Sequence, residues 1–250
     1  MSRIQITTTW QNYFARLSFE LIVIVAGILI ALAISDWESE RRDRVLEEEY
    51  LGRLIVDMQS NLEYVEYVIR YQQNVIKNAR RVYLLVQHGT ELDEEPAAII
   101  AYAYWASALQ SPNWNDATHQ ELLSSGRYIL LRNSELRKAL LEFYVGVERG
   151  NQMFILASTE YRNAIRSEFD PELQITIRNE CDRFEDTCQI SGFPNEIDRL
   201  MNWMRGNEVL ARFLRRVIPQ SERAHVEYAA EVKNRTDELL EILKLELQST

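Results

Sequence analysis

The segment LSFELIVIVAGILIALAISDW, Leu17 to Trp37, decides how this chain is read. Its centre, Leu21 to Ile34, holds 14 consecutive residues with no charged or polar side chain. That length alone suits a buried helix or an export signal. Counted outward to Leu17 and Trp37, the 21 residues make a helix of about 31 Å, which matches a hydrocarbon layer of about 30 Å. Glu20 and Asp36 then fall at the two membrane interfaces, and Trp37 serves as an amphipathic anchor beside Asp36.

Two other readings compete. Ala31-Leu32-Ala33 has the small-residue pattern of a signal cleavage site. Against it stand a long leading segment carrying only Arg3 and Arg16, and an acidic residue, Glu20, directly at the start of the apolar core. A buried core helix would show a polar face, and this segment is apolar all round. A transmembrane helix at 17–37 follows, with the lipid bilayer as its first partner and residues 1–16 as a short cytoplasmic segment. Gly27 and Ala31 form a small-xxx-small pair that would let two spans approach and form a homodimer.

Orientation rests on a weaker balance. Arg41, Arg42, Arg44 and Arg53 follow the span, against Arg3 and Arg16 before it, so a literal count of positive charge puts the C-terminal side in the cytoplasm. A long following domain, however, translocates largely regardless of flanking charge. Cys181 and Cys188 would also find a use in an oxidising compartment. The C-terminal part is therefore expected outside the cytoplasm.

Composition excludes one class of partner. With 28 Lys and Arg against 38 Asp and Glu, the net charge of -10 repels a phosphate backbone, so no nucleic acid is expected. Only 8 Gly and 5 Pro punctuate 250 residues, which favours long helices. The two cysteines are seven positions apart. In one unbroken helix their Cα atoms would lie roughly 10.5 Å apart, beyond the ~7 Å limit of a disulfide, so a bridge needs a turn between them. Free buried thiols are the alternative.

The rest of the chain reads as all-α. From Trp37 to about Gln87 the apolar stripe Leu46, Tyr50, Leu54, Met58, Leu62, Val65 and Ile69 steps by three and four, which predicts one long amphipathic helix continuing from the span as a charged stalk. Its breadth suits a helical bundle. Pro96 opens a second, almost wholly apolar helix, Ala97 to Leu109, too short to span. A short helix ends at Gly126, and in RYILLRN, Arg127 to Asn133, an extended segment competes with helix. Ser134 is the expected N-cap of a helix running to about Phe169, where Asp170-Pro171 interrupts it. Pro219 should break or kink the last third, after which the apolar stripe resumes. One domain, residues 38–250, is expected beyond the span.

Two longer stretches carry a resemblance. GILIALAISDWESERRDRVLEEEYLGRLIVDMQSNL contains a span closing in Asp36-Trp37 and a charged helix with YLGRL. HQELLSSGRYILLRNSELRKALLEFY adds a turn at Gly126, the triplet Ile129 to Leu131, Asn133, and a helix reaching Phe143-Tyr144. Together they resemble a family of bacterial single-span membrane proteins catalogued as domain of unknown function 6090, over about half the chain. The resemblance implies membrane anchoring and a helical extracytoplasmic part, and it carries no catalytic residues. Ala33-Ile34-Ser35 stands where members of that family are often richer in Asn.

No phosphate loop, nucleophile elbow or zinc-protease motif is present, and no cofactor is expected. Glu222 and His225, three apart on one helical face, have the spacing of a di-iron carboxylate bundle, and Asp116 with His119 echoes it. Such a spacing arises readily by chance among 38 acidic residues. The aromatics Tyr102, Tyr104, Trp105 and Trp114 read as core before ligand pocket. The chain is thus expected to be a non-enzymatic interaction, scaffold or sensor-like module with a protein partner. A metal-dependent bundle enzyme built on Glu222, His225, Asp116 and His119 is the alternative.

Overall fold

A computed structural model describes residues 7–89, 93–109, 113–156, 159–185 and 188–249, with side chains described except at 7–16, 18, 151–156, 159, 224 and 225. The described residues are all-helical, without a strand. The longest element, α1 (Thr7–His88), has 82 residues, about 120 Å of axis. It is unbroken because no Pro or positive-φ residue occurs until Gly89, whose φ of 60° ends it.

Part of α1 is long and apolar enough to cross a membrane: its best 18-residue window has a mean hydropathy of 2.3 and no buried residue. The large apolar side chains from Leu21 to Ile34 are 46–63% exposed, an arrangement that water penalises and lipid does not. Past Trp37 the helix stays largely exposed until Glu47, the first buried residue, about 15 Å further along the axis. Arg42 pairs with Glu38 and Arg44 with Glu40, each at 3.6 Å. Such exposed pairs contribute only a few tenths of a kcal/mol.

Among the described residues eight further helices build the bundle on the rest of α1. They are α2 (Pro96–Ala106), α3 (Ala117–Ser124), α4 (Ser134–Leu156), α5 (Thr159–Glu168), α6 (Pro171–Glu180), α7 (Pro194–Met204), α8 (Glu208–Ser221) and α9 (Tyr228–Ser249). Two apolar cores form along α1. The near core joins Leu51, Leu54, Met58 and Val65 of α1 to Leu140 of α4 and Leu243 of α9. The far core joins Val82 and Leu85 of α1 to α2, to Ile165 of α5, Leu173 of α6 and Leu200 of α7, and to Leu214 of α8. Ion pairs Glu222 to Arg80 and Lys233 to Glu66 show α9 running back along α1.

Local chemistry sets most boundaries. Pro96 and Pro171 occupy first-turn positions of α2 and α6, where a missing N–H costs nothing. Asp170 caps α6 by accepting from Glu172 and Leu173 N–H at 2.8 and 3.3 Å. Gly126, at φ 68°, turns the chain after α3.

Local geometry settles one open reading and corrects another. RYILL forms a 3-10 turn, Arg127–Leu130, because Leu131 alone is buried there while Ile129 is 74% exposed, so no two-faced strand pattern exists. The N-cap of α4 is Asn133, not Ser134: its Oδ1 accepts from Glu135 and Leu136 N–H at 3.0 and 3.1 Å. The helix expected from Ser134 to about Phe169 is helical over α4 and α5, with residues 157–158 outside the described residues. Pro219 lies inside α8, and the regular α-helix is interrupted shortly after it by a π turn, Glu222–Glu227, before α9 begins.

Candidate functional site

The near core carries a polar latch where an apolar seam is expected. Asn61 follows Met58 by three and precedes Val65 by four, yet it is 1% exposed. Its amide grips the backbone of Asn115 on both sides, Nδ2 donating to the carbonyl at 2.9 Å and Oδ1 accepting from the N–H at 2.7 Å. One turn earlier Asp57, 7% exposed, accepts from Asn115 Nδ2 at 2.9 Å and from Thr118 N–H at 3.0 Å. Asp57 thereby caps α3 from another helix, while the N-cap residue Asp116 makes no such bond. Glu121 adds a second tie, accepting from Tyr50 Oη at 2.8 Å and pairing with Arg53.

This latch positions a cleft of about 520 Å³ lined by Trp114, Asp116, His119, Gln120, Tyr144 and Glu148. His119 is 5% exposed and stacks on Tyr144, ring centroids 4.0 Å apart at 24°. Tyr128 meets it edge-on at 5.5 Å, its hydroxyl hydrogen-bonded to Nδ1. Burial lowers the His119 pKa below the usual histidine value, with the Asp116 charge pulling the other way. Burial also pushes the Tyr128 and Tyr144 phenols upward. At neutral pH the wall of the cleft is therefore an uncharged imidazole held by two protonated phenols, with Asp116 and Glu148 as the acidic lining. Such a surface can hydrogen-bond a small polar ligand, and protonation of His119 would add a positive charge to it.

The structure separates the residues of the di-iron spacing. Asp116 accepts from Gln120 Nε2 at 3.0 Å, and Glu222 pairs with Arg80. Asp57, which holds α3, and Arg80 are 23 positions apart on α1, about 34 Å along the axis. Asp116 and His119 therefore share no site with Glu222, and the His225 side chain lies outside the described residues. Among the described residues no group of three or more His, Cys, Asp or Glu side chains is placed to hold a metal ion.

Cys181 and Cys188 form a disulfide with Cα atoms 4.9 Å apart. Helix α6 ends at Glu180, so the pair straddles a turn rather than one helix. Glu20, Asp36 and Trp37 are exposed on α1, and a Cβ placed on Gly27 would meet nothing within 4 Å. Trp114 lines the cleft, whereas Tyr102, Tyr104 and Trp105 lie buried in the far core.

Sequence reasoning missed Asp57, Asn61 and Asn115. The available signal was a polar residue at each of two successive seam steps, beside Met58. Comparison with protein-family models, curated proteins and solved structures finds no match for this chain.

Proposed function

We propose that this chain is a single-span membrane protein whose helical bundle stands on the extracytoplasmic side of a bacterial inner membrane and works as a non-enzymatic interaction or sensor-like module. One observation carries the reading: α1 runs without a break from its exposed apolar stretch through both cores of the bundle. A helix shared in this way couples the two ends mechanically, so a shift in packing around α1 becomes a displacement of the apolar end. The disulfide supports an oxidising compartment. The likeness to domain of unknown function 6090 belongs to the same proposal, as does pairing of two spans through Gly27 and Ala31.

Fractionation and protease accessibility test this reading. Full-length protein should resist alkaline extraction from membranes, and its bundle should be digested by protease added to spheroplasts but not to intact cells. Digestion only in inverted vesicles would reverse the orientation. Recovery of a soluble form beginning at Ile34 would replace the anchor with a cleaved signal.

A further inference from the structure

Helix α2 is buried on all sides from Ala98 to Ala106, so its last carbonyls need donors from the protein. Arg162 and Arg166, one turn apart on α5, supply them. Arg162 Nη1 donates to Ser107 O at 2.9 Å. Arg166 donates through Nε to Ser107 Oγ at 3.0 Å and through Nη2 to Tyr104 O at 3.4 Å, with its guanidinium 3.5 Å from the Tyr104 ring centroid. Positive charge at the carboxyl end of a helix is favourable, but that end carries only about half a negative charge.

A third guanidinium arrives from elsewhere. Arg183 lies 5.1 Å from the ring centroid of Trp105 and 5.5 Å from that of Tyr71, and its Nη1 donates to Tyr67 Oη at 3.4 Å. Its carbonyl is held by Asn74 Nδ2, and the Cys181–Cys188 bridge closes the loop that carries it. Tyr104 and Trp105 meet edge to face at 5.1 Å, so Arg166 and Arg183 sit on adjoining rings.

Three positive charges thus converge on one helix end in a chain of net charge -10. Among the described residues none of the three has a carboxylate within ion-pair distance, although Arg199 and Arg216 nearby on α7 and α8 do. A guanidinium offers about five N–H donors, and Arg162 and Arg183 each place one on the protein. Trp105 Nε1–H is buried without an acceptor among the described residues. Burial pushes the Tyr71 phenol up to about 12 against the pull of Arg183, Arg166 and Arg162, so it too remains a donor. The groups gathered here are donors in search of an acceptor.

We propose that Arg162, Arg166 and Arg183, set against Tyr71 and Trp105, form a binding site for a small oxyanion, a carboxylate or a phosphate. Guanidiniums that keep free N–H pairs suit the two-oxygen geometry of either group. Binding would tie α5 and the disulfide loop to α2 and α1, and it does not depend on which side of a membrane the bundle stands.

The test uses the full chain in detergent, with melting temperature and calorimetric titration as readouts. Inorganic phosphate and citrate are the probes, and sodium chloride at matched ionic strength is the control. A saturable rise with phosphate alone assigns the site to phosphates, and one with citrate alone assigns it to carboxylates; both results support an oxyanion site. Arg183→Gln, which leaves the α2 caps in place, should weaken binding by about tenfold or more, and Arg183→Lys by less. No response to either anion beyond the chloride control overturns the proposal, a result the wild-type chain alone can give. Equal affinity in a folded Arg183→Gln protein also overturns it.

Discussion

Replacing Gly150 with Ala should destabilise the bundle, while the same replacement at Gly52 should stabilise it. Both glycines lie in helices, Gly52 in α1 and Gly150 in α4. A Cβ on Gly52 meets nothing within 4 Å, so the change gains helix propensity of about 0.8–1 kcal/mol. On Gly150 a Cβ would overlap the Cζ, Cε1 and hydroxyl of Tyr228. The ring would have to leave, and its hydroxyl now donates to Gly146 O at 2.8 Å. Overpacking costs about 1–3 kcal/mol and the lost hydrogen bond about 0.5–1.5 kcal/mol, against the same propensity gain, leaving a net loss of about 0.5–3.7 kcal/mol. A protein of this size loses about 2–4 °C in Tm per kcal/mol. Thermal melting of the full chain in detergent, followed by near-UV circular dichroism, should therefore show a fall for Gly150→Ala and a rise of about 2–4 °C for Gly52→Ala. In a Tyr228→Ala background the sign at Gly150 should reverse, because the obstructing ring is gone. Two variants moving in the same direction, or no reversal in that background, would refute the packing argument.

Asp57→Ala should cost about 2–4 kcal/mol in denaturant unfolding, because it strands the Thr118 N–H and the Asn115 amide in a buried site; a change near zero would show the latch to be dispensable. Acidification should weaken the fold through His119. Burial lowers its folded pKa, so the unfolded chain binds the proton first, and stability falls as pH drops below the ordinary histidine value toward the folded one. His119→Gln should flatten that part of a Tm-against-pH curve, and an unchanged slope would remove His119 as its source. Opening the Cys181–Cys188 bridge with a reductant should cost about 2.5 kcal/mol by loop-closure entropy, read as a lower Tm, whereas the Cys188→Ser protein should no longer respond to the reductant.

How legible the molecule was depends on the range of the forces involved. The seam of α1 and the burial of α2 follow from apolar spacing within each segment, and Pro96, Gly126 and Asp170 mark helix ends through their own backbone chemistry. Asn133 and Ser134 are neighbouring residues of similar capping ability, so only the observed hydrogen bonds choose between them. The latch was hidden because Asn61 and Asn115 are 54 positions apart, and the arginine cluster because Arg162, Arg166 and Arg183 reach the end of α2 more than 50 positions earlier.

By itself the sequence determined an all-helical chain, one apolar stretch of membrane-crossing length and the continuity of the helix that follows it. Those properties depend on hydrogen bonds four residues apart and on the period of apolar side chains, both of which are local. Only the tertiary structure decided that two cores share α1, that Asp116 and Glu222 stand far apart, that His119 is shut between two tyrosines, and that three guanidiniums meet at the end of α2. Charge and proton affinity follow from which groups are brought together and kept from water, and that is a property of packing between distant segments.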